Sequence, residues 1–244
     1  MLKRCLVLIF VTVLAVSFMG CGFKEAFGGK PVPPLDGYSK VVIAPFDIRK
    51  PTGKYEDLPT MLSYGAGTKL GIKVKDKTYF YDQSKDVKPV TDKAKELNIP
   101  LKDLYQNVES AVKLGKAFDA DLVIVGQLTE PRYNIERSGK ITEDKSKVSA
   151  TGALRYYTVA QTALIRTYLK IVDVKSSKVI WAGNILGYKS YQTKYLTGES
   201  EKIQRDETMY ADIRKDWVDN FDSKLYPVQV GITGKDYRPT TEIK

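Results

Sequence analysis

Histidine is absent from this 244-residue chain, and Cys5 and Cys21 are its only cysteines. Ser-His-Asp and Cys-His nucleophilic mechanisms are therefore removed, as are histidine-held haem and zinc sites built from nitrogen and sulfur ligands. Acid–base chemistry near neutral pH falls to tuned carboxylates, Lys or Tyr. Three spacings come nearest to a reactive set. Ser110 and Lys113 match S-x-x-K, in which a lysine activates a serine nucleophile, but no S-D-N or K-T-G accompanies them. Gly65-Ala66-Gly67-Thr68-Lys69-Leu70-Gly71 has the glycine content of a phosphate-cradling loop, yet its spacing is GxGxxxG and no Gly-Lys-Ser/Thr follows. It is read as a kinked or flexible helix segment. Asp119 and Asp121 offer two carboxylates, but alternate residues entering a strand point to opposite faces, so a helix-to-strand junction is expected there. The chain is read as non-enzymatic, with no cofactor and no metal.

A different chemistry suits Tyr188, Lys189, Tyr191, Lys194 and Tyr195, which interleave aromatic rings with ammonium groups. Exposed tyrosines beside cations fit a partner-binding patch, because the ring offers apolar area and the hydroxyl a hydrogen bond. Tyr156 and Tyr157 are candidates for the same surface.

The leader gives these residues a setting. Lys3 and Arg4 precede an apolar, charge-free stretch over residues 5–19, too short to span a bilayer and followed at once by Gly-Cys-Gly and Lys24. Residues 1–20 are read as a signal peptide. Ser17-Phe18-Met19-Gly20-Cys21 resembles the bacterial lipobox, with Phe18 where Leu is usual and Met19 where a small residue is usual. That resemblance implies lipidation of Cys21 (palmitate among the acyl chains) as the new amino terminus. Gly22 stands where Asp marks inner-membrane retention in such proteins, so the implied location is the outer membrane, facing the periplasm. Loss of Lys3 and Arg4 lowers the net charge from +10 to +8, which suits anionic surfaces such as lipid headgroups or peptidoglycan. Nucleic acid is not expected, since export argues against it and no basic block of 5–8 residues is present.

Positioning the rest requires a body with a core, and 43% hydrophobic residues supply it. Residues 21–37, rich in Gly and Pro, read as a lipidated cysteine and flexible tether. Residues 38–227 read as one compact domain, and 228–244 as a tail. Val41-Val42-Ile43-Ala44 and Leu122-Val123-Ile124-Val125 are continuous apolar runs rich in β-branched residues, which suit strands covered on both faces. Helices are expected over 56–70, from 101 to 118 without a break, and over 206–225, where Met209, Ile213, Trp217, Phe221 and Leu225 recur every four residues. Residues 132–152 read as an exposed hairpin or loop. Ile165, Thr167, Leu169 and Ile171 alternate with Arg166, Tyr168 and Lys170, a strand whose partner returns from Val179 after a turn at 173–178. The expected fold is an α/β (α+β) sandwich: a mixed, mainly antiparallel sheet packed by about three helices.

Four segments carry a family resemblance: VVIAPF at 41–46, AFDADLVIVG at 117–126, the hairpin LKIVD…SKVIW at 169–181, and KLYP at 224–227. Their order is similar to that of the compact α/β domain shared by the curli secretion-channel lipoprotein, the lipoprotein activators of penicillin-binding proteins and the amino-terminal domain of TolB. The resemblance implies an accessory or activator subunit that binds an envelope protein or peptidoglycan in cell-wall synthesis, transport or secretion. A structural subunit of a homo-oligomeric secretion or motility assembly is the alternative. Residues 132–152 lack the apolar–polar alternation of membrane-inserted strands, so pore formation is not expected.

Overall fold

The structure, a computed structural model, describes residues 32–84, 86–138, 142–149 and 152–226. The leader at 1–20, Cys21 and the tail at 228–244 lie outside the described residues. Strands β1 (Lys40–Ile43) and β2 (Asp47–Ile48) precede helix α1 (Leu58–Lys73) and strand β3 (Thr78–Phe80). Three short helices follow, α2 (Pro89–Glu96), α3 (Leu101–Gln106) and α4 (Val108–Ala117). The chain then runs through β4 (Leu122–Leu128), β5 (Arg132–Arg137), β6 (Thr142–Ser149), β7 (Gly152–Asp173) and β8 (Lys178–Leu196) to α5 (Asp206–Leu225).

One mixed sheet carries everything. β3, β1 and β4 lie parallel, β7 joins β4 antiparallel, and β8 flanks β7. The apolar runs are buried on both faces, as continuous apolar strands rich in β-branched residues should be. Val41, Ile43, Leu122 and Ile124 face α1 and α5, in a cluster with Leu58, Leu62, Ile213 and Trp217. Val42, Val123, Val125 and Val172 face α2–α4, in a second cluster with Ala94, Leu104 and Leu114. Ile165, Thr167, Leu169 and Ile171 are all buried, and so is the whole fourfold series of α5. Trp181 sits in the cluster that α5 fills, and Asp173 Oδ1 accepts from Ser176 N at 2.6 Å to hold the tight turn before β8.

Four expectations are corrected. The helix from 101 to 118 is broken at Asn107, whose extended backbone and Oδ1, accepting from Glu109 N at 2.9 Å, start α4 afresh; asparagine prefers this capping role to a helix interior. Helix α2 was not expected, so the described residues hold five helices rather than about three. The segment 132–152, expected as an exposed hairpin or loop, holds two strands that pair with β7 and not with each other: β5 and β6 lie along its first half, and because ladder bonds come from the backbone the charged side chains of β5 stay exposed. The tether is shorter than 21–37. Leu35 is buried, and Lys77 Nζ donates to the carbonyls of Leu35 (2.9 Å) and Tyr38 (2.5 Å).

Helix α2 owes its start to a distant residue. Asp82 is fully buried, and its Oδ1 accepts from Val90 N (2.8 Å) and Thr91 N (3.1 Å) while Oδ2 takes the Thr91 hydroxyl. It caps the helix in place of Lys88, with Pro89 in the first turn, where a missing N–H costs nothing. Asp82→Ala takes the acceptor away from three buried donors and is expected to cost ~1–3 kcal/mol, read as a lowered urea midpoint with an unchanged m-value.

Candidate functional site

The sequence-level reactive sets are used for structure. Lys113 Nζ donates to the Leu97 carbonyl at 3.0 Å, at the carboxyl end of α2. The glycine-rich run lies inside α1: Gly65 lets Val218 of α5 approach, Gly67 lets the Tyr81 ring lie against the backbone, and Lys69 pairs with Asp219 at 2.7 Å. Asp121 Oδ2 accepts from Ser39 N (2.7 Å), Lys40 N (2.9 Å) and the Ser39 hydroxyl (3.0 Å), while Asp119 pairs with Lys40. Among the described residues no three His, Cys, Asp or Glu side chains group as metal ligands, and no helix is long and apolar enough to cross a membrane.

The N–H of Lys40, with the Ser39 donors, holds the Asp121 carboxyl below its ordinary value. A depressed carboxyl stabilises the fold above its unfolded pKa of ~3.9 and loses that contribution as pH falls through the folded value. Thermal unfolding between pH 7 and pH 2 should therefore show stability falling below about pH 4. In Asp121→Asn, stability at pH 7 should be lower and the acid decline shallower.

Strands β7 and β8 extend past the rest of the sheet as an arm. Pairing between β4 and β7 ends at Thr167, but the β7–β8 ladder continues for eleven more residue pairs, from Arg166↔Leu186 to Tyr156↔Leu196. At ~3.3 Å per residue that is about 35 Å of ribbon. β5 and β6 run along its other edge. Its two faces differ. On one, Val159, Gln161, Ala163 and Ile165 are buried. The segment after β8 covers this face: Gln204 N donates to Gln161 Oε1 at 2.9 Å, and Arg137 grips Glu201 through Nε and Nη2 at 2.8 and 2.7 Å. The Arg137 guanidinium keeps the Glu201 carboxyl below the usual range. On the other face, Thr158, Ala160, Thr162, Leu164 and Arg166 of β7 are half-buried, flanked by Arg132 and Asn134 of β5 and by Tyr188, Ser190, Gln192 and Lys194 of β8. The helices α2–α4 cover this side of the sheet only further along, at Lys170 and Val172; Lys170 Nζ lies 4.3 Å from the centre of the Tyr105 ring.

The predicted patch is divided by this geometry. Tyr188, 51% exposed, and Lys194 stand on the open face. Lys189, Tyr191 and Tyr195 stand on the covered one. There the Tyr195 hydroxyl donates to Lys202 O (2.7 Å) and accepts from Lys202 N (3.0 Å), and the Tyr191 hydroxyl donates to Asp212. Lys189 lies over the Tyr191 ring. Tyr157 joins this side, its ring centre 6.0 Å from that of Tyr195. Strand parity alone separates 188 from 189 and 191; the fixing of Tyr191 and Tyr195 by residues 202 and 212 has no signal in the local sequence.

The outer edge of β8 is partly closed. Tyr188 N donates to Asp216 Oδ2 (2.8 Å), Asn220 Nδ2 donates to Leu186 O (2.8 Å), and Leu196 N donates to Glu199 (3.0 Å). These side chains blunt an edge that could otherwise pair with another strand. Between them, the outward backbone groups of Ser190, Gln192 and Lys194 have no such cap among the described residues.

No family model matches the chain, and no curated protein matches it in sequence. Solved structures do match. The PelC dodecamer from Paraburkholderia phytofirmans matches 80% of this chain and 93% of its own at 12% identity, with a TM-score of 0.37. Lipoprotein GNA1162 from Neisseria meningitidis matches 71% and 91% at 14% identity and 0.33, and the LpoB C-terminal domain from Escherichia coli 60% and 81% at 10% identity and 0.32. The neighbours thus include lipoproteins, as the sequence resemblance implied. At these identities nothing about individual residues transfers.

Proposed function

We propose that this chain is a non-enzymatic outer-membrane lipoprotein, anchored through lipidated Cys21, whose periplasm-facing domain binds an envelope partner as an accessory or activator subunit of cell-wall synthesis, transport or secretion. The observation that carries this reading is the polarity of the domain. The described chain enters the sheet where β1 and β4 begin and β7 ends: Ser39 N donates to Asp121 Oδ2 at 2.7 Å, and Val174 N donates to the Asp121 carbonyl at 2.9 Å. The arm projects from the opposite end of β4. An anchor at one pole and an open sheet face at the other is the arrangement a tethered binding module needs. The interval from Cys21 to Val32 spans at most ~40 Å, and confinement to a membrane raises the effective concentration of the arm near its partner.

A photo-crosslinking residue at position 188 in the native cell should capture one envelope component, and the same residue at Lys178, where β8 begins at the anchor pole, should not. Capture lost on Cys21→Ser supports the role of the anchor. Equal capture from both positions, or none from 188, overturns the reading.

The uncapped edge at Ser190, Gln192 and Lys194 favours one alternative, a structural subunit in which copies pair strand to strand. Light scattering on the full chain in detergent separates the two: a stable multiple of the protomer mass, with position 188 crosslinking to itself, supports the assembly.

A further inference from the structure

At the base of the arm the open face dips into a crevice of about 490 Å³. Arg49 and Lys50, just after β2, form one wall; Thr129, Glu130, Pro131 and Arg132, between β4 and β5, form the second; Leu164, Arg166 and Tyr168 of β7 form the floor. Three local features build it. Lys50 takes a left-handed backbone, φ 60°. The β4–β5 connection leaves the ladder after Thr129 N donates to Arg166 O at 2.8 Å. The helical layer that covers Lys170 stops short of Arg166.

The charges in it are unbalanced. Arg49, Lys50, Arg132 and Arg166 all line the crevice, and none has a side-chain ion pair or hydrogen bond among the described residues. Arg166 goes further, because its Nε is buried without a partner. A buried guanidinium N–H with nothing to donate to is costly and stands out in a folded protein. The one acid in the lining, Glu130, is held by Thr52, through its N–H at 2.6 Å and its hydroxyl at 2.9 and 3.0 Å, and its single charge offsets only one of the four cations. Four cations thus face one cavity, with Arg forks suited to planar or tetrahedral oxyanions. The volume falls within the range of small-molecule sites and exceeds what one small ion fills.

We propose that this crevice binds a multiply charged oxyanion of the diphosphate class, with Arg166 donating from the floor and Arg49, Lys50 and Arg132 closing around it. A single carboxylate would leave most of the positive charge unanswered; linked phosphates answer it. The site is independent of the partner-binding reading and of the lipid anchor. Such a diphosphate has two sources, a soluble compound or a lipid headgroup, and the chemistry recognised is the same.

Calorimetric titration of the full chain in detergent with inorganic pyrophosphate tests the proposal. Saturable binding at one site per chain is expected, weakened at least tenfold by Arg166→Gln and by the solvent-exposed Arg132→Gln, and unchanged by Lys178→Gln at the far pole. Circular dichroism and thermal melts establish that the variants are folded, and Arg132→Gln serves if Arg166→Gln is not. Binding that is absent, equally tight for orthophosphate, or weakened as much by Lys178→Gln overturns the assignment. Co-sedimentation with phosphatidylcholine vesicles carrying an isoprenyl diphosphate distinguishes the sources. Capture lost in Arg166→Gln supports a lipid-borne ligand, and pyrophosphate binding without vesicle capture supports a soluble one.

Discussion

Gly187→Ala is expected to destabilise the domain by ~3 kcal/mol or more, although it adds a single methyl group. A Cβ at this position would lie 2.1 Å from the Ile213 carbonyl oxygen and 2.8 Å from Trp217 Cβ. The first contact decides the size of the effect. A side chain could turn aside, but a backbone oxygen inside a helix moves only if α5 moves. Helix α5 also carries Met209, Ile213, Trp217, Phe221 and Leu225 into the main core and the caps on the β8 edge. Lifting it disturbs all of them at once. Chemical denaturation should show a lower midpoint. Gly71→Ala supplies the opposite sign, because a Cβ there meets nothing within 4 Å on an exposed helical position. It should stabilise by ~0.5–1 kcal/mol, since alanine restricts the unfolded chain and favours helix. A neutral Gly187→Ala would mean that α5 and β8 are not in such close contact.

The second large effect belongs to Trp217→Ala, expected to cost ~3–5 kcal/mol. The ring is fully buried, stacked on Phe221 at 5.1 Å between centres and tilted against Phe46 at 5.4 Å. Removing it opens a cavity between the sheet and α5 that backbone at Gly187 and the neighbouring rings can fill only in part. Trp217→Phe should cost much less. It keeps an aromatic ring in place and removes an indole N–H that is buried without a partner among the described residues. Because Gly187 and Trp217 touch the same interface, the double variant Gly187→Ala/Trp217→Ala should lose less than the sum of the two: the vacated ring gives α5 room to settle around the new methyl. Equal losses for Trp217→Ala and Trp217→Phe contradict this packing.

What could be read in advance was whatever the chain writes locally. Val41–Ala44 and Leu122–Val125 announce strands buried on both faces by their unbroken apolar runs, rich in β-branched residues. The fourfold spacing of α5 names its buried side residue by residue. The alternation from Ile165 to Ile171 gives the inner face of β7. Asp173 and Asp121 are turn and junction residues by type and place. Long-range pairings were not legible. Asp82 caps a helix that begins seven residues later, and nothing about an aspartate after Tyr81 announces that. Asn107 lies within an otherwise helical stripe, so the apolar period masks the break. The charged side chains of β5 hide a strand because its pairing is made by the backbone. The five aromatic and basic residues of β8 fall within one stretch of eight residues yet belong to two faces, only one of them covered by residues 199–212. The crevice is the extreme case: Arg49, Arg132 and Arg166 come from three separate parts of the chain, and only the folded sheet sets them around one cavity.

Everything assigned to the arm and its poles presumes a chain held at a membrane by its first mature residue. Mass spectrometry of the amino-terminal peptide from protein purified out of native membranes tests this most directly. A peptide beginning at Cys21 and carrying the added mass of a diacylglyceryl thioether and an amide-linked acyl chain is the expected result. A peptide retaining residues 1–20, or Cys21 with a free thiol, contradicts it.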